Sequence, residues 1–206
     1  MANHVSSRIE LVEGSEEVIQ WFLQLTNSMI VPEEERQGPY SYYKPVHEMF
    51  DSWPESEYDE ETYGWYIDNI GAKWCHVEDV DSDRFSFESA WGYPEHLFLR
   101  IHKEAYKIDP NVVMAIYYED EMPNFFGSGL YADGEMYDEE YWDDDSYKYL
   151  NLKFYWDEEE DGPEPDDFDP SEAYEKMYDT QDSDVQGMIE GLKEYRAEMA
   201  EENASN

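Results

Sequence analysis

The chain has 206 residues, with 53 acidic side chains against 13 basic ones and a formal net charge of -40; it will not bind nucleic acid unaided and is attracted to basic partners. Aromatic residues make up 17% of it, and rings that each bury roughly 150–250 Å² argue for a folded core where an acidic chain would otherwise be disordered. One cysteine, Cys75, excludes an internal disulfide, the histidines at 4, 47, 76, 96 and 102 show no zinc spacing, and no apolar signal segment or membrane-length apolar run is present.

Arg8 to Leu11 alternate polar and apolar ahead of Gly14-Ser15, which predicts a half-buried strand and a turn. Ser15 then caps a helix with Glu16 and Glu17 in its first turn and Val18, Trp21, Phe22, Leu25 and Met29 on one stripe. Residues 31–63, rich in proline, tyrosine and acid, read as a long insertion with one helical turn around Val46 to Phe50. Trp65 to Ile70 and Phe85 to Ser89 read as an antiparallel pair of strands. A helix from Pro94 buries Leu97, Phe98, Ile101 and Ala105, and the apolar run Val112 to Tyr118 has the pattern of a central strand.

The expected order is therefore β-α-β-β-α-β, an α+β protein of the ferredoxin-like kind over residues 1–131. Asn124 to Tyr131 and Tyr147 to Trp156 add strands, the second with Leu150, Leu152, Phe154 and Trp156 on one face. Ala132 to Glu135 signals a turn, and Gly127-Ser128-Gly129 suggests a bulge or turn within the first of these strands. Residues 132–170 form an acidic, aromatic-rich extension ending in a proline-broken loop, and residues 171–206 a helical segment. Two helices are expected there: Ser171 to Tyr178, then Ser183 to Met199. The second would open on a Ser183 to Gln186 capping box, bury Val185, Met188, Ile189, Leu192 and Tyr195, and fray over its last seven residues.

The segments Asp68-Asn69-Ile70-Gly71-Ala72-Lys73-Trp74, Phe87-Glu88-Ser89-Ala90-Trp91-Gly92-Tyr93-Pro94 and Tyr117-Tyr118-Glu119 occur in that order. Together they resemble the Api92-like, or YubB, ferredoxin-like family of phage and plasmid proteins, over about residues 3–131. Ile70 and Ala72 stand where that family usually has Trp and Thr. The resemblance implies a ferredoxin-like fold and a mobile-element origin, and it carries no catalytic residues to this chain.

Chemistry at fixed spacing is sparse. Asp79 to Asp83 and Asp157 to Gly162 begin like calcium loops, but the first has Arg84 and Ala90, and the second Phe168, where such a loop needs its Gly and closing Glu. No phosphate-binding glycine loop or nucleophile and base pairing stands out, so no catalytic residue, metal or cofactor is assigned. The charge pattern is the remaining signal. Asp143, Asp144, Asp145, Asp157, Glu158, Glu159, Glu160 and Asp161 surround Tyr141, Trp142, Tyr155 and Trp156, and acids beside aromatic anchors can occupy a surface evolved for phosphates.

The reading is a phage or mobile-element protein of the host cytoplasm whose acidic, DNA-mimicking surface inhibits a basic host DNA-binding or DNA-modifying defence protein. Alternatives are an enzyme using a face lined by Trp74 and Trp91, or an acidic virion or assembly protein.

Overall fold

The computed structural model describes residues 3–38, 41–60, 62–122, 124–150, 152–154 and 169–204. The strands are β1 (His4–Glu13), β2 (Cys75–Val80), β3 (Arg84–Ala90), β4 (Val113–Asp120), β5 (Phe125–Ala132) and β6 (Glu135–Asp143). They form one six-stranded sheet in the order β2-β3-β1-β4-β5-β6, with every neighbouring pair antiparallel.

Alternation along β1 sends Val5, Ser7 and Ile9 to one face and His4, Ser6 and Arg8 to the other. On the first face lie α1 (Glu16–Met29) and α3 (Glu95–Ile108). Phe22 and Met29 from α1 and Phe98 and Ile101 from α3 are buried against Ile9, Phe85, Phe87 and Ile116. The Ser15 hydroxyl accepts the Val18 N–H at the start of α1. The Asp109 carboxylate just past α3 accepts the N–H groups of Ser15 and Asn111 at 2.8 and 2.9 Å, and these bonds hold its pKa below the usual carboxylate range.

The second face is covered over β4 and β5 by the C-terminal helix α5 (Ser171–Ala204), 34 residues long. Its buried residues Ala173, Met177, Gln181, Val185, Met188 and Leu192 recur every three or four positions, the spacing of one helical face. The middle and C-terminal part of that stripe meets Val113, Ala115, Tyr117, Leu130 and Ala132. Fully buried Gln181 donates from Nε2 to the carbonyl oxygens of Tyr118 and Gly127, at 3.1 and 2.8 Å, tying the helix to two adjacent strands. With helices on both sides, β4 is buried at every residue but Glu119, which explains its unbroken apolar run.

Four local expectations are corrected. Trp65 to Ile70 is not a strand: Tyr63–Asn69 forms the helix α2, because the Thr62 hydroxyl caps it on the Trp65 N–H and Trp65 and Asn69, one turn apart, are both buried. The strand starts at Cys75, beyond Gly71, whose φ is 88°. Asp144–Leu150 is the helix α4 where a strand from Tyr147 to Trp156 was expected. Asp143 caps it through Ser146, and Tyr147 stacks on Phe126 while Leu152 and Phe154 close over Ala173 and Met177. Tyr155 and Trp156, like the loop after them, lie outside the described residues.

The third correction concerns α5, which is one helix: Ser183 sits in its interior and caps nothing, Tyr195 is 49% exposed, and the helix runs on to Ala204. It continues past this point because Gln181, Val185, Met188, Ile189 and Leu192 are all held by the sheet, which offsets the cost of Gly187 and Gly191 in the helix interior. The insertion does carry its short turn, a 3₁₀ helix at Val46–Glu48, and another at Glu33–Glu35.

The fourth concerns Gly127-Ser128-Gly129, which is regular ladder paired to β4 and β6, with the irregularity at Leu130/Tyr131 instead. A Cβ at Gly127 would lie 2.3 Å from the Tyr118 hydroxyl oxygen and 2.6 Å from the Glu140 carbonyl. The glycine is there so that the Tyr118 ring can cross β5 and donate to Glu139 at 2.8 Å. Gly127→Ala is expected to cost roughly 1–3 kcal/mol through overpacking. Urea denaturation of the two proteins checks this, and an unchanged midpoint would show that Tyr118 and the Glu140 carbonyl of β6 both move aside freely.

Candidate protein-binding surface

The turn between β5 and β6 is a two-residue hairpin in which Asp133 and Gly134 both have positive φ, 54° and 88°, the geometry that matches strand twist. It returns the chain as β6, an edge strand of the sheet. Pairing with β5 puts Asp138, Glu140 and Trp142 on the α5 side and Glu139, Tyr141 and Asp143 on the α3 side. Acids therefore stand on both faces of this strand. They also discourage pairing with a further strand, since a charged edge is a poor template.

Two contacts fix how α5 runs beside this strand. The Trp142 indole N–H donates to the Asp184 carboxylate at 3.0 Å, and a Cβ at Gly191 would lie 3.7 Å from the Tyr137 hydroxyl oxygen. Strand position rises from 137 to 142 while helix position falls from 191 to 184, so the two elements run antiparallel. Burial raises the pKa of Asp184, with the Trp142 hydrogen bond pulling the other way.

Opposite its buried stripe, α5 presents Glu172, Glu175, Asp179, Asp182, Glu190, Glu194, Glu198 and Glu201, all exposed. Gln186 fills the gap in their three-and-four spacing, so they make a single row down the solvent side. From Glu172 to Glu201 that row is about 44 Å long at 1.5 Å per residue. Eight carboxylates over that length give roughly 60% of the charge density of one DNA strand, which carries a charge per about 3.4 Å. Asp138 and Glu140 of β6 add negative charge on the same side of the sheet as this helix. On the flanks, Lys193 pairs with Glu13 at 3.2 Å and Arg196 with Asp133 at 2.9 Å, so these two bases help bind the helix to the body.

The residues singled out from the sequence divide into four groups. Tyr141 is 54% exposed and stacks on Phe125, and Asp145 is exposed in the first turn of α4. Trp142 and Asp143 are half-buried and committed internally, the first to Asp184 and Phe126, the second to capping Ser146, whose hydroxyl lowers the Asp143 pKa. Of Asp144 only the backbone is described, at the start of α4. Tyr155, Trp156, Asp157, Glu158, Glu159, Glu160 and Asp161 lie outside the described residues.

The row on α5 escaped the sequence reading, although its spacing was there to find once Ser171 to Ala204 is taken as one helix. The strand β6 escaped because its acids break any alternation of apolar side chains. Trp74 and Trp91 have distinct surroundings: Trp74 packs between His4 and His76, and Trp91, at a φ of 72°, is 54% exposed beneath the Lys73 ammonium, 4.4 Å from its ring centroid. No helix among the described residues is long and apolar enough to cross a membrane. The chain matches no protein-family model, no curated protein and no solved structure.

Proposed function

We propose that this protein inhibits a basic host DNA-binding or DNA-modifying protein, such as a defence nuclease, by occupying its DNA-binding groove with an acidic surface. The observation that carries the reading is the row of acids on the solvent side of α5, a helix that runs beside the acid-bearing strand β6 on one folded body. Charges held on a rigid surface gain affinity from counterion release at the partner without the ordering cost that a disordered acidic tail would meet. Tyr141, Tyr149 and Tyr195, each at least 49% exposed, supply rings that a partner can desolvate.

A ferredoxin-like core fits the same reading. The first four strands lie in the order β2-β3-β1-β4, with α1 after β1 and α3 after β3, and the ordered motifs that resemble the Api92-like family fall within it. On this reading the chain is a mobile-element accessory protein, and β5, β6 and α5 are the elaboration that carries the acidic surface.

The test is capture from host lysate on the immobilised protein across a salt gradient, with elution by duplex DNA. The expected result is retention of a basic DNA-binding protein that leaves as salt rises and is displaced by duplex. Converting Glu175, Asp179, Asp182 and Glu190 to their amides should release it at lower salt. Retention of no such protein even at low salt would overturn the proposal, and so would retention indifferent to both duplex DNA and the four amides.

A further inference from the structure

At the far end of the sheet from β6, the edge strand β2 faces the Tyr42–Pro45 segment of the insertion across a groove of about 690 Å³. That volume is within the range of binding pockets, roughly 300–1,000 Å³. The segment is fixed at both ends. Its backbone pairs with the end of α1, through Val31 N–H to the Tyr42 carbonyl and Lys44 N–H to the Met29 carbonyl, both at 2.8 Å. The Tyr43 hydroxyl reaches across to Asp79 at 3.3 Å.

The walls are aromatic and the rim is acidic. Tyr42, Tyr43 and Tyr66 line the groove together with the carboxylates of Glu78 and Glu88. Glu88 is shared by His4 and His76, but the Glu78 carboxylate makes no hydrogen bond or ion pair among the described residues. Its carboxyl is raised in pKa by burial and by the neighbouring charge of Glu88, the mark of an acid short of a counter-charge. Lys44 is the lining residue of opposite sign.

We propose that this groove binds an arginine side chain carried by an extended segment of a partner protein. Tyrosine faces attract a guanidinium, and the two oxygens of the Glu78 carboxylate match its fork of donors. The wall already holds one such contact within the protein, the Arg36 guanidinium 4.7 Å from the Tyr42 ring centroid. An extended segment is favoured over a free small cation because β2 has no further strand beside it among the described residues, so a peptide laid along it can add main-chain hydrogen bonds. The site stands apart from the α5 row and does not depend on the inhibitory role proposed above.

The experiment titrates the full-length protein with the labelled peptide acetyl-Val-Thr-Arg-Thr-Val-amide, read by fluorescence polarisation at about 0.5 M salt, where surface charge is screened. Its citrulline counterpart has the same shape without the charge. Binding is expected for the arginine peptide and at least tenfold weaker for the citrulline one. Tyr42→Ala and Glu78→Gln, both at exposed positions, should each weaken it at least fivefold, with unfolding midpoints unchanged. The four-amide α5 variant should bind as the wild type does. Equal binding of the two peptides, no binding of either, or loss in the α5 variant alone would overturn the proposal, the last showing attraction to general negative charge.

Discussion

A chain ending at Pro170 is expected to lose cooperative unfolding and to bind hydrophobic dye at neutral pH. The helix α5 buries Val185, Met188, Ile189 and Leu192 against β4 and β5, each below 8% exposed. At roughly 1.5–3 kcal/mol per buried side chain, these four contribute about 6–12 kcal/mol. That is comparable to the whole stability of an ordinary domain, about 5–15 kcal/mol. Truncation would also uncover Val113, Ala115, Leu130 and the Tyr118 and Gly127 carbonyls that Gln181 satisfies. Leu192→Ala in the intact chain tests the same contact more gently, with an expected loss of roughly 2–5 kcal/mol in urea denaturation. A truncated protein that unfolds cooperatively at the wild-type midpoint would show that the sheet does not need this helix.

Acidification should destabilise the protein through His102, even while it relieves the repulsion among carboxylates. His102 is fully buried on α3, stacked on Tyr131, and its Nε2 accepts the Gly134 N–H of the hairpin at 3.2 Å. Its Nδ1 has no hydrogen-bond partner among the described residues. Burial depresses its pKa from 6.5 to about 4, with Arg196 and Lys103 acting in the same direction and Asp133 against them. The folded value lies below the unfolded one, so the unfolded chain takes up the proton first.

Neutral His102 is therefore tolerated without cost above pH 6.5, and stability is lost as pH falls from there through about 4. By pH 4.5 the loss attributable to this residue is roughly 2–3 kcal/mol. His102→Gln does not titrate and can still accept from Gly134. Unfolding free energies of both proteins at pH 7.5 and 4.5 give the answer: relative to the wild type, the variant should gain that amount on acidification. A difference independent of pH would remove His102 from the account.

Both expectations rest on features that differ in how far the sequence discloses them. The apolar run Val112 to Tyr118 announced a central strand, and the stripes Val18 to Met29 and Leu97 to Ala105 announced the helices over it, because in each case one local period sets which side chains are buried. The Asp133-Gly134 hairpin was legible for a similar reason, since two positive φ angles demand particular residues.

Trp65 to Ile70 misled because so short a segment of mixed apolar and polar residues fits helix or strand equally, and the Thr62 cap decided between them. Tyr147 to Leu152 misled more instructively. Its alternation was real, yet Asp143 capped a helix there and Phe126 offered Tyr147 a ring to stack on, so the helix won.

The sequence by itself determined the net charge of -40, the aromatic content and the periodic elements of the body. These follow from composition and from contacts a few residues apart. Only the tertiary structure decided that Trp142 turns inward to Asp184, that Gly127 clears a path for Tyr118, and that the strand β6 and the helix α5 run side by side. Each of those depends on partners roughly ten to fifty residues away in the chain, and a one-dimensional pattern of charge and hydropathy holds no information about which distant segment will be brought alongside.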